Sequence, residues 1–278
     1  MSAMSMERSP VGVPIVAGTA IRGIAASLMM NGVLQRHPNA FLITLERWGV
    51  SIRLDDSQAY LHREIRNGLL QQNREPDSPI VLVGHSQGGL AALRYAVDHP
   101  EQVAHVVTVG TPWNGARLAG AVNSLVHAVV RRHLPALVDM TPSSEFLQAL
   151  HTDVPAIGDR VTNIFSTREI LIEPYISAHI AIDGVTNVLI CTSDEYERHL
   201  ATYGDSHPVD GHIEGRITHL GEMSSPDVRA VIWRTVSEVA ATLSAPSQRT
   251  PRQRRDASRR ASRRTPATRA RTSQQDSA

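Results

Sequence analysis

The sequence of 278 residues contains one cysteine, no lysine and no long apolar segment. Cys191 alone cannot form an internal disulfide, so nothing in the chain requires an oxidising compartment. No stretch reaches the roughly 18 uninterrupted apolar residues of a membrane-spanning helix. Near the amino end, Glu7, Pro10 and Pro14 interrupt what would be the basic and apolar parts of a secretory signal. These absences predict a cytoplasmic protein without a signal peptide or a transmembrane segment.

The positive charge is concentrated at the carboxyl end, because all 28 basic residues are arginine and ten of them follow Pro246. Residues 247–278, the Arg-rich tail, carry a net charge of +8, which leaves −7 for residues 1–246 in a chain of net charge +1. The tail is almost free of apolar residues larger than alanine, so we expect it to be disordered. Its arginines would attract a polyanion or an anionic membrane, or the tail is merely solubilising. Because the tail has no aromatic residues on which bases could stack, we predict no specific nucleic-acid binding.

Short apolar runs alternate with helical patterns through residues 1–246, which favours one α/β domain with a mostly parallel sheet covered by helices on both faces. Helices are expected at about residues 24–36, 57–74, 90–97 and 226–243. Two segments fit the alternation poorly: the mostly helical residues 114–150 and the polar residues 192–218. We expect the first segment to form a helical lid and the second to form a polar insertion loop. Each of them either has a function or is a plain surface excursion. The predicted strands are Val13–Ala17, Phe41–Leu45, Ile80–Val83, Val103–Val109, Val161–Phe165 and Val185–Ile190.

The sharpest motif is Gly84-His85-Ser86-Gln87-Gly88, a G-x-S-x-G pattern between a predicted strand and a predicted helix. A serine in that position sits on a tight turn with its hydroxyl exposed at the carboxyl end of the strand. The amino terminus of the following helix favours negative charge that develops there. The motif therefore predicts that Ser86 is a catalytic nucleophile.

Around this motif, residues 11 to 244 resemble an α/β-hydrolase of the bacterial lipase/esterase type. The resemblance implies an α/β-hydrolase fold in a compact version that lacks the leading hairpin, with residues 114–150 in the place of the family's helical lid. It is carried, besides GHSQGG, by VPIVAGTA at 13–20, VTVGTPWNGA at 107–116, STREILIEP at 166–174 and THLGEMSSPDV at 218–228.

Serine attack on an ester needs a histidine base and an acid, which follow the serine in the order acid, then histidine, in this fold. Of thirteen histidines, His219 is favoured because His219-Leu220-Gly221 resembles the family's catalytic-histidine turn, with His199 and His212 as alternatives. Glu169 falls on the family's acid position, where Asp is commoner. The alternative acids are Glu173, Asp183 and Asp194.

The oxyanion hole is expected to use the backbone N–H of Gln87 together with that of Thr19, by resemblance to the family's loop after its first strand. Ala17 stands where the family usually has a histidine in that loop. No G-x-G-x-x-G or P-loop follows a strand, so we expect no nucleotide cofactor. The polar segment contains histidines and aspartates at spacings that match no standard metal site, so we expect no metal there either. They are His199, Asp205, His207, Asp210 and His212.

These residues predict a serine carboxylic ester hydrolase, a lipase or esterase acting on a small ester or lipid through an acyl-enzyme on Ser86. The same triad would serve an acyltransferase, a thioesterase or an amidase, because the fold does not fix the acyl acceptor. A hypothesis of a different class is a non-enzymatic protein that binds a polyanion or a membrane through the Arg-rich tail. Acyl-chain length, the alcohol portion and the oligomeric state are left open by the sequence.

Overall fold

The structure, a computed structural model, describes residues 9–18, 34, 37–45, 53–116, 135–169 and 172–245. The helix expected at 24–36 lies outside these ranges except for Leu34, and the Arg-rich tail lies outside them entirely. Thr19 and residues 117–134 of the expected lid are also outside. Residues 1–243 form one compact unit, which is described below; of the second unit, residues 244–278, the structure describes only Ser244 and Ala245.

Seven parallel strands make up the sheet in the described part of the chain, in the order β2-β1-β3-β4-β5-β6-β7. The six predicted strands are confirmed to within two residues at each end, and β7 is an addition to them. The bounds are β1 Val13–Ala17, β2 Ala40–Thr44, β3 Ile80–His85, β4 Val103–Val109, β5 Val161–Ser166, β6 Thr186–Cys191 and β7 Gly211–Glu214.

Six α-helices and three short 3₁₀ turns are described between these strands. No helix in the described ranges is both long and apolar enough to cross a bilayer. The helices are α1 Ser57–Gln71, α2 Gln87–Asp98, α3 Pro135–Asp139, α4 Glu145–Asp153, α5 Ser193–Tyr203 and α6 Pro226–Ser244; the 3₁₀ turns are Val154–Arg160, Tyr175–Ala178 and Glu222–Ser224.

Helices cover both faces of the sheet, which explains why Val13–Ala17 of β1 and Ile80–Val83 of β3 are apolar without interruption. In β3, Ile80 and Leu82 belong to a core cluster that also contains residues of α1 and α2. Val81 and Val83 point to the opposite face and share a second cluster with residues of α6. Successive side chains of a strand alternate between faces, so a sheet buried on both sides needs apolar residues at every position.

The polar segment 192–218 differs from the predicted loop, because it contains helix α5 and strand β7. Helix α5 begins with a capping box in which the Glu195 carboxylate accepts a hydrogen bond from the Thr192 N–H at 3.0 Å. Ile213 of β7 pairs with Ile190 of β6. Of the side chains in α5, that of His199 is buried, so most of the helix can be polar. The prediction of a loop was wrong because α5 lies at the protein surface and lacks the broad apolar face by which a helix is recognised in a sequence.

Most of the described part of the expected lid, residues 135–150, packs into the core. Ala136 of α3 and Phe146, Leu147 and Leu150 of α4 are almost completely buried. The Ser144 hydroxyl caps α4 by accepting a hydrogen bond from the Leu147 N–H at 3.1 Å. A lid therefore stays a prediction, and it concerns residues that the structure does not describe.

Two buried asparagines tie the chain after β5 to the sheet. Asn163 of β5 donates from its amide nitrogen to the Ala178 carbonyl and to the Asn187 side-chain oxygen, both at 2.9 Å. Asn187 of β6 donates to the Ile180 carbonyl at 2.9 Å, and its oxygen accepts from the Ile180 N–H at 3.2 Å. Because a buried polar group without a partner is costly, these bonds fix the connection between β5 and β6.

Replacing Asn187 by alanine should therefore destabilise the protein. The Asn187→Ala change leaves both backbone groups of Ile180 and one donor of Asn163 unpaired, which we expect to cost about 3 kcal/mol of unfolding free energy. Urea unfolding measures it. Thr186→Ala on the same strand is the matched control, since Thr186 is exposed and should change stability by less than about 1 kcal/mol. Equal effects of the two substitutions would show that the asparagine pair contributes nothing.

Candidate active site

Ser86 lies in the turn between β3, which ends at His85, and α2, which begins at Gln87. Its φ of 56° and ψ of −129° form a conformation that residues other than glycine rarely adopt. Such a conformation costs on the order of 1–3 kcal/mol, so the surroundings must hold it. The Ser86 N–H donates to the Val109 carbonyl at 2.8 Å, and the Gly89 N–H donates to the Ser86 carbonyl at 2.9 Å. The turn thereby fixes Ser86 at the carboxyl end of β3.

The chain after β1 touches this turn through Gly18. A Cβ atom on residue 18 would lie 2.6 Å from the Ser86 Cβ and 2.7 Å from the His85 carbonyl oxygen, which is closer than such atoms approach. It would also lie 3.3 Å from the backbone nitrogen of Gln87. Only glycine fits here, and it brings this loop beside the first amide of α2. Of the two predicted oxyanion donors, the structure places Gln87, while Thr19 lies outside the described residues.

Glu169 and His219 are brought together. Glu169 follows β5 and His219 follows β7, and the Nδ1 atom of His219 lies 2.9 Å from Oε2 of Glu169. Both side chains are buried, with 0% of Glu169 and 3% of His219 exposed. The centroid of the His219 ring is 4.8 Å from that of His85, the residue before Ser86. A buried imidazole–carboxylate pair therefore lies against the end of the strand that carries Ser86.

The turn that carries His219 is attached to β5, although β6 and β7 intervene in the sequence. The Ser166 hydroxyl donates to the Ile217 carbonyl at 2.5 Å, and Arg168 forms an isolated parallel β-bridge with Thr218. The Gly221 N–H donates to the Thr218 carbonyl at 2.7 Å and closes the turn. The chain that holds the acid therefore also positions the histidine.

The alternative histidines have other contacts. His199 is buried, with Nδ1 at 3.1 Å from the Tyr175 hydroxyl and Nε2 donating to the His207 carbonyl at 3.0 Å. His212 is exposed and stacks on Tyr196. Both side chains are thus engaged within the region of α5 and β7.

The alternative acids lie on the surface. Glu173, Asp183 and Asp194 are all exposed, whereas the carboxyl group of Glu169 is fully buried. A carboxylate in water gains little from pairing with a histidine, but a buried one needs a partner. Of the four candidate acids, Glu169 is the buried one, and its carboxylate therefore gains most from pairing with an imidazole.

Glu222 is a buried acid that the sequence analysis did not single out. It begins the 3₁₀ turn three residues after His219, and its side chain is fully buried. Its Oε2 atom lies 3.9 Å from Nδ1 of His219. Burial raises the pKa of Glu222 well above its usual range, and the nearby charge of Glu169 raises it further. The only sequence signal was its spacing from His219.

His85 is held as a neutral imidazole. Its ring is fully buried, and its Nε2–H donates to the His219 carbonyl at 3.1 Å. Burial lowers the pKa of His85 to about 3; the neighbouring His219 also lowers it, and the bond to the His219 carbonyl opposes the shift. Because burial keeps its ring neutral, His85 contributes no positive charge to the site.

Three donor atoms, on His85, His219 and Glu222, lie within 4.8 Å of one another, as a metal ion would require. However, Nε2 of His85 is protonated toward a carbonyl, and Nδ1 of His219 faces Glu169 at 2.9 Å. Both nitrogens therefore have a role without an ion, and the geometry supports an acid–base site.

Comparison with known proteins agrees with this architecture. The sequence profile of the alpha/beta hydrolase fold family matches residues 53–124. No curated protein matches the chain. Among solved structures, the chain is similar to lipase B of Aspergillus fumigatus, with a TM-score of 0.57, 19% identity and coverage of 83% of this chain and 53% of that one. The chain therefore spans about half the length of that lipase.

Two further solved structures are similar over nearly their whole length. The mature lipase BlEst2 of Bacillus licheniformis has a TM-score of 0.50 and 13% identity, with 82% of this chain and 92% of that chain covered. A meta-cleavage product hydrolase of Pseudomonas fluorescens IP01 has a TM-score of 0.51 and 12% identity, with the same coverage. Identities this low establish the fold alone.

The site leaves no space for a side chain at Gly110, which follows β4 with a φ of +53°. A Cβ there would lie 2.2 Å from Oε2 of Glu222, 2.9 Å from Nδ1 of His219 and 3.0 Å from Oε1 of Glu169. We therefore expect Gly110→Ala to lower the unfolding free energy by more than about 2 kcal/mol, since it combines backbone strain with a clash. Urea unfolding measures this loss.

The matched control is Gly211→Ala in β7, where an added Cβ meets no atom within 4 Å and φ is not positive. We expect that substitution to change stability by less than about 1 kcal/mol. A Gly110→Ala protein as stable as the Gly211→Ala protein would contradict the close packing around residue 110.

Proposed function

Since the fold is that of an α/β hydrolase, as the motifs imply, we propose that the protein is a serine hydrolase that cleaves carboxylic esters. One observation carries the proposal. A serine in a strained turn between strand and helix directly follows His85, whose ring centroid lies 4.8 Å from that of His219, and His219 forms a buried pair with Glu169 at 2.9 Å. Strain of this kind persists where a structure over-determines it, and functional sites are where it concentrates.

In the first half of the reaction, the Ser86 hydroxyl attacks the ester carbonyl carbon while Nε2 of His219 takes its proton. Glu169 accepts a hydrogen bond from Nδ1–H of His219, which fixes the tautomer with Nε2 free as the base. The carboxylate then stabilises the imidazolium in a buried setting, where its charge is poorly screened. The proton passes from His219 to the departing alcohol, and an acyl-enzyme remains on Ser86.

In the second half, water attacks the acyl-enzyme and His219 again acts as base, then returns the proton to Ser86. In both halves the carbonyl oxygen becomes negatively charged. The Gln87 N–H and the Thr19 N–H are the proposed donors to that oxygen, and each such donor is typically worth about 3–4 kcal/mol of transition-state stabilisation. Gln87 is the first residue of α2, so its N–H lies at the positive amino end of that helix, which supports this role.

A small ester or a lipid is the proposed substrate. Two of the similar structures are lipases, which supports this class without fixing it. Acyl transfer, thioester hydrolysis and amide hydrolysis use the same groups, because the acyl acceptor and leaving group are not set by the triad. A panel of esters from two to sixteen acyl carbons, with a matched thioester and amide, would assign the substrate.

Ser86→Ala should abolish turnover of a short-chain p-nitrophenyl ester, with a loss of at least about 10³-fold in kcat/KM, because the nucleophile is gone. A fluorophosphonate probe should label the parent protein at Ser86 and leave the variant unlabelled. The exposed Ser206→Ala is the control and should keep parental turnover and labelling.

Retained turnover in Ser86→Ala would reject the nucleophile. A parent protein that the probe does not label would instead favour the non-enzymatic hypothesis. In that case the Arg-rich tail becomes the part to study, and its removal should abolish binding to anionic vesicles. An ester hydrolase, by contrast, should keep its chemistry without the tail.

Glu169→Gln should lower kcat by roughly 10³–10⁴-fold, because an amide cannot hold His219 in the required tautomer or balance its charge. The control Glu173→Gln removes a carboxylate from the exposed stretch four residues later and should change kcat less than about threefold. Steady-state kinetics on the same ester measure both. Similar losses in the two variants would mean that another carboxylate is the triad acid.

A further inference from the structure

The proposed reaction uses one buried carboxylate, but the site contains two. Glu222 and Glu169 are both fully buried at the side chain, and their Oε2 atoms lie 3.9 Å and 2.9 Å from the same atom, Nδ1 of His219. The groups that face Glu222 are Glu169 from the chain after β5, His219 from its own turn and His85 from the end of β3. Among the ion pairs of the described residues, none joins either carboxyl group to an arginine.

Among the described residues, the surroundings offer little positive charge to these two acids. His85 is neutral because burial lowers its pKa to about 3. In the proposed reaction, His219 becomes positive when it takes the proton of the nucleophile. Two adjacent ionised carboxylates without water or a cation repel strongly, so one of such a pair retains a proton.

The distances to His219 show which carboxyl group retains it. Oε2 of Glu169 lies 2.9 Å from Nδ1, whereas Oε2 of Glu222 lies 3.9 Å away, beyond hydrogen-bond range. An ionised carboxylate is a stronger acceptor for the Nδ1 hydrogen than a neutral carboxyl group, so the nearer group is the one that gains most from carrying the negative charge. Glu222 lies 3.6 Å from Nε2 of His85, also beyond range, which leaves Glu169 as the acceptor for a Glu222 hydrogen.

We propose that Glu222 keeps its proton in the folded protein and donates it to Glu169, so that the triad acid is a carboxyl–carboxylate pair with one negative charge. Glu222 is then a positioning residue: it holds Glu169 toward His219 and touches no substrate. The single charge is neutralised when His219 becomes protonated. The catalytic consequence rests on the proposed function, whereas the location of the proton does not.

The proton can be tested without catalysis, through the pH dependence of stability. The unfolded chain releases the Glu222 proton above about pH 4.3, while the folded protein keeps it, so this residue destabilises the fold increasingly as pH rises toward its folded pKa. A glutamine side chain at this position cannot ionise in either state. The Glu222→Gln variant should therefore gain stability relative to the parent between pH 5 and pH 8, by up to about tenfold in the unfolding equilibrium constant per pH unit.

The control for this experiment is Glu197→Gln, the same chemical change on the exposed side of α5. Its stability relative to the parent should not rise with pH. Urea unfolding at each pH gives both differences. A difference for Glu222→Gln that is flat or falls with pH would overturn the proposal.

Infrared spectroscopy on the parent protein provides a test that needs no variant. At pH 8 exposed carboxylates are ionised, so a C=O stretch of a protonated carboxyl group should come from Glu222. We expect that band in the parent at pH 8 and, where the variant folds, its loss in Glu222→Gln. Its absence from the parent would overturn the proposal even if no Glu222 variant folds.

Kinetics test the positioning role. Glu222→Ala should lower kcat/KM by about 10–100-fold because Glu169 loses its support, and Glu222→Gln, which can still donate, should recover most of that loss. The acid limb of the pH profile should have the same midpoint in Glu222→Gln and parent, because no charge is removed. If Glu222 were ionised, its replacement by glutamine would remove a negative charge from the site and shift that limb to lower pH.

The proposed function is rejected if the parent protein neither hydrolyses esters nor reacts with the fluorophosphonate. The stability and infrared measurements would still show whether Glu222 is protonated. Conversely, an active parent whose Glu222→Gln variant is as impaired as Glu222→Ala, with a shifted acid limb, would overturn the carboxyl–carboxylate pair and leave the ester hydrolase intact.

Discussion

The whole site depends on how closely the backbone packs at the carboxyl ends of β1, β3 and β4. The Ser86 turn keeps its unfavourable conformation because its N–H is bonded to the end of β4 and because Gly18 lies against it from β1. Gly110, at the end of β4, leaves room for the buried acids and His219. Parallel strands that end together bring these segments into contact, and glycine at two of the three strand ends lets them approach to van der Waals distance.

The electrostatics follow from this packing, since solvent screens the charges of buried side chains poorly. Two acids and two histidines share the space beneath Gly110. Burial favours the neutral form of each group. His85 is therefore a neutral imidazole, and Glu222 can lie close to Glu169 because its carboxyl group is favoured in the protonated form. Only the Glu169–His219 contact is short enough to form a charged pair during a reaction.

The sequence predicts the fold and the position of Ser86 well because both depend on local patterns. Apolar runs between helical segments indicate a parallel sheet, and a serine between glycines after such a run indicates the turn. Glu169 and His219 were predicted through family resemblance, since neither has a local signal of its own. Glu222 was missed because a glutamate in a turn usually faces water, and its burial arises from contacts with β4 and β5 that no local pattern encodes. Helix α5 and strand β7 were missed because their sequences are mostly polar and bury few side chains.

The attachment of the His219 turn to β5 has a consequence for how the site is assembled. Ser166 and Arg168 hold residues 217 and 218, so the histidine is placed beside Glu169 by the same segment that carries Glu169. Helix α5 is joined to that segment too, because the Glu195 carboxylate pairs with Arg168 and accepts a hydrogen bond from the Thr167 hydroxyl at 2.9 Å. The three residues after Ser166 therefore connect the edge of the sheet to the histidine–glutamate pair.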